Sequence, residues 1–305
     1  MKQFCLILIV AFAALWSLAC NRENRRDDHV LAAARAALIP ATATMVTAWD
    51  IPRNPLTDST LYFTEHGKQI QRGFRLFVNT PGEVSRYTLN TLSCNNCHLN
   101  AGQKEKAMPL VGVAAVYPEY NKREGKVFTL EDRIVGCFRR SQASSGKEQP
   151  TSESEEVRAI AAYLNWLSEG IPPKAKLPWR GHNVIAENNL IPVEQLNPQR
   201  GKELFLEKCF NCHGNDGQGV QIGDKKAGPL WGPNSWNDGA GAARIYTLAG
   251  MIRFAMPYLD PGSLTDEEAQ QIAAFICSQP RPEYPYKNLD YRVEPLPRDA
   301  VYYKR

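Results

Sequence analysis

The chain has 305 residues, 43% of them hydrophobic and 22% charged, with a formal charge of +4. That length suffices for two domains of ordinary size, and the composition excludes a fibrous or low-complexity protein. The positive excess is too small to argue for nucleic acid as a partner.

Lys2 is followed by an apolar run, Phe4 to Ala19, and then by the charged stretch Asn21 to Asp28. Residues 1–20 therefore read as an export signal, which predicts a periplasmic protein. The signal ends Leu18-Ala19-Cys20, which leaves two readings. A small residue before cysteine suits a lipoprotein cleavage site with a lipid anchor at Cys20; simple soluble export is the other. Residues 21–48 read as a tether, with a short helix at Val30 to Leu38. The first domain is expected over residues 49–170.

Arg72-Gly73-Phe74-Arg75-Leu76-Phe77 predicts an amphipathic helix with a small residue for close packing. Next comes Cys94-Asn95-Asn96-Cys97-His98. CxxCH is the attachment pattern of c-type haem: two thiols add across the porphyrin vinyl groups, and the adjacent His lies under the iron. A Pro-Leu-x-Gly turn follows at Pro109-Leu110-Val111-Gly112. An apolar-faced helix, Glu155 to Leu167, closes the unit with Ile160, Tyr163, Leu164 and Leu167 on one face. Residues 171–198 are Pro-rich and read as a linker.

The pattern then repeats over residues 199–285. Arg200-Gly201-Lys202-Glu203-Leu204-Phe205 precedes Cys209-Phe210-Asn211-Cys212-His213, and Pro229-Leu230-Trp231-Gly232 follows. Thr265 to Cys277 is the second closing helix, opened by the capping box Thr265-Asp266-Glu267-Glu268. Residues 286–305 form a tail rich in Pro, Tyr and Arg. The repeat predicts an all-α fold: two cytochrome c-type domains in tandem, each with one covalent haem c.

The same repeat locates the second axial ligands. Met256 lies 27 residues after Pro229 and precedes Pro257. A thioether at that place is the usual partner of His in an electron-transfer haem, with Met251 the nearest rival. In the first half the position 28 residues after Pro109 holds Cys137. A thiolate there donates electron density and lowers the haem potential. It needs nearby positive charge, which Arg133, Arg139, Arg140 and Lys147 offer. Cys277 reads as a core residue, and His29, His66 and His182 as surface or structural ones.

Residues 89–142 resemble the thiosulfate dehydrogenases, the tetrathionate-forming dihaem cytochromes. The matching words are Leu92-Ser93-Cys94-Asn95-Asn96-Cys97-His98-Leu99-Asn100-Ala101-Gly102, Val111-Gly112-Val113-Ala114-Ala115-Val116-Tyr117-Pro118 and Leu130-Glu131-Asp132-Arg133-Ile134-Val135-Gly136-Cys137-Phe138, followed by Ser141-Gln142. The likeness extends over nearly all of residues 49–280. It implies that His98 and Cys137 ligate the catalytic haem, and that Arg133, Ser141 and Gln142 line the substrate site. His213 and Met256 would ligate the second haem, which passes electrons to a small cytochrome or other redox protein. The implied reaction joins two thiosulfates into tetrathionate, or reverses that step. Ala255 stands where some members carry a Lys that exchanges with the Met, and a further family arginine downstream of Cys137 has no match. Two other classes fit the motifs: a non-catalytic dihaem electron carrier, and a SoxA-like cytochrome acting on a sulfur-carrier protein. A dihaem peroxidase fits a cysteine ligand poorly.

Overall fold

The computed structural model describes residues 45, 53–144, 148–223 and 225–304. The export segment, Cys20, most of the tether and Lys147 lie outside the described residues. Two helical units follow one another along the chain, with two small antiparallel hairpins.

In the first half, α1 (Glu65–Val78) starts at Thr64, whose side chain accepts from the Gly67 amide. It buries Ile70, Gly73, Leu76 and Phe77. The one-turn helix α2 (Thr80–Glu83) leads to the first CxxCH segment. The hairpin β1–β2 (Glu119–Asn121 and Lys126–Phe128) precedes α3 (Leu130–Arg140), which a Thr129–Asp132 capping box opens. Then α4 (Glu155–Trp166) packs across α1. A Cβ at Gly73 would run into the Ala159 carbonyl, so glycine is what lets these two helices cross at this distance. Phe77, Ile160 and Tyr163 are each buried in the resulting core.

The second half repeats this crossing. Asn197 caps α5 (Pro198–Lys208), which has Pro at its first position, and α6 (Phe210–His213) carries the second motif. The hairpin β3–β4 (Gln221–Ile222 and Lys225–Lys226) follows. Then come α7 (Ile245–Ala255) and α8 (Asp266–Cys277), the latter opened by the expected Thr265–Glu268 box. Gly201 meets the Gln271 carbonyl where α5 crosses α8, as Gly73 meets Ala159. Leu204, Phe205, Ile272 and Phe275 fill this second core. Cys277 is part of it, and burial pushes its thiol up to about 12.

The connecting stretch 171–198 is packed down. Trp179 is 1% exposed and its Nε1 donates to the Val111 carbonyl at 3.1 Å. The tail reaches back to the first half: the Tyr291 amide donates to the Arg123 carbonyl at 2.7 Å, and Asp290 binds Arg140.

Candidate functional site: two covalent haem centres

Both CxxCH segments wind into one tight turn with the same backbone bonds. The Cys94 carbonyl accepts from the Cys97 and His98 amides at 3.2 and 3.0 Å; the Cys209 carbonyl accepts from Cys212 and His213 at 3.2 and 3.0 Å. The turn holds each cysteine pair and its histidine within one winding of backbone. Further bonds repeat in register. Leu110 donates to Gly102 as Leu230 does to Gly217, and Gly112 donates to Leu167 as Gly232 does to Pro280. Gly112 and Gly232 both need glycine, with φ of 80° and 79°.

The residue before each Pro-Leu turn lies beside the histidine, but only the first makes a well-formed bond to it. His98 Nδ1 donates to the Met108 carbonyl at 2.6 Å, because a carbonyl can only accept. That fixes the tautomer and leaves Nε2 as a free lone pair. Burial pushes His98 down to about 4, so the ring is neutral. In the second half the Gly228 carbonyl interacts with His213, whose buried Nδ1 lacks a well-formed hydrogen bond. Burial also lowers His213.

Around the first motif, Cys137 and Arg133 face one another one helical turn apart on α3. Arg133 Nη1 donates to Cys137 Sγ at 3.0 Å, and the sulfur raises the guanidinium further above its ordinary range. The same pair is felt at the motif. Burial pushes Cys94 up to about 12 and Cys97 to about 11, with Cys137 adding to both shifts, and Arg133 contributes to lowering His98. So the structure gathers Cys94, Cys97, His98, Arg133 and Cys137 at one place. Thr80 Oγ1 accepts from the Cys94 amide at 3.2 Å and steadies the motif. Tyr117 also belongs here: burial raises its hydroxyl, and both Arg133 and Cys137 act on it.

Ser141 and Gln142 stand one turn beyond Cys137, and both amides donate to the Cys137 carbonyl, at 2.7 and 3.1 Å. The Ser141 carbonyl accepts from Asn90. Gln142 is 3% exposed, and its Oε1 has no partner among the described residues. Of the other cations expected near Cys137, Arg140 is committed elsewhere. It pairs with both carboxylate oxygens of Asp290 at 2.7 Å and with Glu124 at 3.2 Å. Arg139 lines grooves of about 260 and 210 Å³ toward the tail and β2. Met256 caps the C-terminal end of α7 and is half-buried, packing beside the buried Met251.

These residues fit haem c. All six described cysteines are free thiols. The second half also holds three buried N–H donors with no acceptor among the described residues: Trp236 Nε1, Arg244 Nε and Arg281 Nη1. Arg281 stacks over the Trp236 ring at 5.0 Å. Such donors suit the carboxylates of a haem.

Comparison with known proteins agrees. Residues 86–172 match the SoxA/TsdA cytochrome c domain, and residues 196–276 match cytochrome c oxidase, cbb3-type, subunit III. The thiosulfate dehydrogenase of Stutzerimonas stutzeri is 37% identical over 76% of this chain and 73% of its own length. That of Allochromatium vinosum is 36% identical over 71% of this chain and 79% of its own. In structure, the thiosulfate dehydrogenase TsdBA of Marichromatium purpuratum superposes with a TM-score of 0.71 and 31% identity. The match covers 82% of this chain and 53% of that one, so this chain spans about half of it. With two cytochrome c domains, each calling for a covalent haem c, the chain belongs to the thiosulfate dehydrogenase family of dihaem c-type cytochromes.

Proposed function

We propose that this chain joins two thiosulfates into tetrathionate at a site built around Cys137. The observation that supports this most is the Arg133–Cys137 contact beside the first CxxCH motif. A carrier needs only a ligand; a guanidinium against that sulfur gives the site a cation where anions must meet.

Cys94 and Cys97 would hold the first haem, with His98 and Cys137 supplying its remaining protein ligands. Cys209 and Cys212 would hold the second, with His213 and Met256. The bound haems supply two one-electron acceptors. The rest of the work falls to side chains. Two thiosulfate dianions repel each other, and Arg133 offsets that repulsion with charge-assisted hydrogen bonds. The Cys137 sulfur bonds to the outer sulfur of one thiosulfate as two electrons depart. The outer sulfur of the second thiosulfate then attacks the bonded one, forming tetrathionate and releasing the Cys137 thiolate. No proton moves, and the site needs no general acid or base. Ser141 and Gln142 would position substrate, the unpartnered Gln142 Oε1 being free to accept a bond.

Over the chain, residues 49–170 form the catalytic unit, 171–198 the linker and 199–285 the electron-transfer unit. No helix among the described residues is long and apolar enough to cross a membrane. Residues 1–20 would direct export to the periplasm, with a lipid anchor at Cys20 as one form of the mature protein. The electron acceptor would be a small cytochrome or other redox protein.

The test is a steady-state assay of the haem-loaded protein with thiosulfate and an artificial electron acceptor. Turnover to tetrathionate is expected in the parent. Cys137→Gly should keep both haems and lose turnover. A parent without turnover points instead to an electron carrier.

A further inference from the structure

The two halves meet along an apolar seam beside the haem motifs. Leu99 and Ala107 of the first half are buried with Met251 and Ala255 of α7, and Met108 and Met256 pack against the same group. Lys104 stacks over the Tyr258 ring at 4.2 Å, fastening the 99–108 loop to the segment just after Met256. Met108 is therefore tied on two sides. Its carbonyl holds His98 Nδ1 at 2.6 Å, and its side chain packs where Met256 packs. It keeps a left-handed φ of 49°, a conformation that costs a non-glycine residue energy and needs surrounding structure to hold it.

The second half mirrors this. Gly228 precedes Pro229 as Met108 precedes Pro109, and its carbonyl lies near His213 Nδ1 without a well-formed hydrogen bond. Gly228 also lies against the other half's haem segment. A Cβ there would come within 2.5 Å of Leu92 Cδ2 and 3.2 Å of Asn96 Nδ2, the latter inside the first CxxCH. Met108 thus packs against the Met256 segment, and Gly228 against the first motif.

We propose that Met108 and Gly228 are positioning residues that couple the two haem centres across the domain seam. A hydrogen bond to the non-ligating nitrogen sets the basicity of an axial histidine, and so the potential of its iron. Moving the Met256 segment moves Met108, and with it the bond on His98. Moving the first motif moves Gly228, and with it the surroundings of His213. One seam adjusts both centres. This rests on Met256 being an axial ligand.

The test is an optical potentiometric titration of the haem-loaded full chain, following each haem by its own bands, for the parent, Met108→Leu, Met108→Ala and Gly228→Ala. Met108→Leu preserves bulk and carbonyl and should titrate as the parent does. Met108→Ala empties one side of the seam, and Gly228→Ala wedges the other. Each should shift both midpoints, and Met108→Ala should also weaken the thioether-to-iron charge-transfer band. Gly228→Ala keeps the proposal testable where Met108→Ala loads haem poorly. A shift confined to one haem, or none in either variant, overturns the coupling. A parent without the thioether band refutes the Met256 ligand reading itself, and this inference with it.

Discussion

Asp290, near the end of the chain, grips Arg140 on the helix that carries Cys137, with two hydrogen bonds of 2.7 Å. Both side chains are buried, Asp290 at 1% and Arg140 at 7% exposure. Tyr303 donates its hydroxyl to the same carboxylate, and Tyr284 lies under the guanidinium at 4.2 Å. Removing Asp290 leaves the buried guanidinium with Glu124 as its one carboxylate partner among the described residues, where a fully broken buried pair costs about 3–5 kcal/mol. Asp290→Ala should lower the thermal midpoint strongly. Asp290→Leu combined with Arg140→Met should lower it less than Asp290→Ala alone. Equal losses in the two would mean that the ion pair itself, rather than an orphaned charge, decides the matter. The readout is thermal unfolding by circular dichroism.

The paired glycines of α1 and α5 give a second expectation. Gly73→Ala would drive a methyl into the Ala159 carbonyl, and Gly201→Ala into that of Gln271. Neither neighbour is a flexible side-chain end, so the helices must part. Overpacking of this kind costs about 1–3 kcal/mol. Each variant should destabilise its own half by that order, seen in chemical denaturation. A neutral Gly73→Ala would show that α1 and α4 have room to spare.

These glycines were legible in sequence because the repeat printed them twice, in RGxxLF, ahead of each CxxCH. Local signals also announced the Thr265 capping box and the apolar face of α4. Contacts across long stretches of chain left no such trace. Asp290 and Arg140 are 150 residues apart, and nothing near Arg140 marks it as structural rather than as a neighbour of Cys137. The Met108 carbonyl was equally hidden, since any residue offers one. Its position just before Pro-Leu in both halves was the only available cue. The two hairpins are too short to produce an alternating pattern, so an all-α reading passes over them.

Arg253 and Asp266 give an expectation in pH. Arg253 Nε donates to Asp266 at 2.7 Å, as does Asn189 Nδ2, and together they hold the carboxyl below its usual range. A carboxyl lowered on folding stabilises the fold above its unfolded pKa of about 4, and that contribution is lost as pH falls through the lowered value. The pair is partly exposed, so its worth is modest, about 0.2–1 kcal/mol. Asp266→Asn should therefore cost stability at neutral pH and progressively less below about pH 4. Measuring thermal midpoints of parent and variant across that range checks it. A difference that grows toward acid contradicts the sign.

Arg133 is the sharpest test of the sulfur site. It stands four residues before Cys137 on α3, so helix geometry alone brings the two side chains to one face, and its guanidinium donates to Sγ at 3.0 Å. Hydrogen bonds to charged groups are worth about 1.5–3 kcal/mol, which is roughly a tenfold to hundredfold change in rate where they act on the transition state. Arg133→Ala should lower kcat/KM for thiosulfate by about that factor while both haems stay attached. Arg133→Lys restores the charge without the planar fork, and should recover only part of the loss. The split between constants is informative. If Arg133 only gathers the first dianion, KM rises and kcat holds. If it answers the charge that builds up when the second thiosulfate attacks the Cys137 adduct, kcat falls as well. Parent-like kinetics in Arg133→Ala would remove the guanidinium from the reaction and leave Cys137 to act without it.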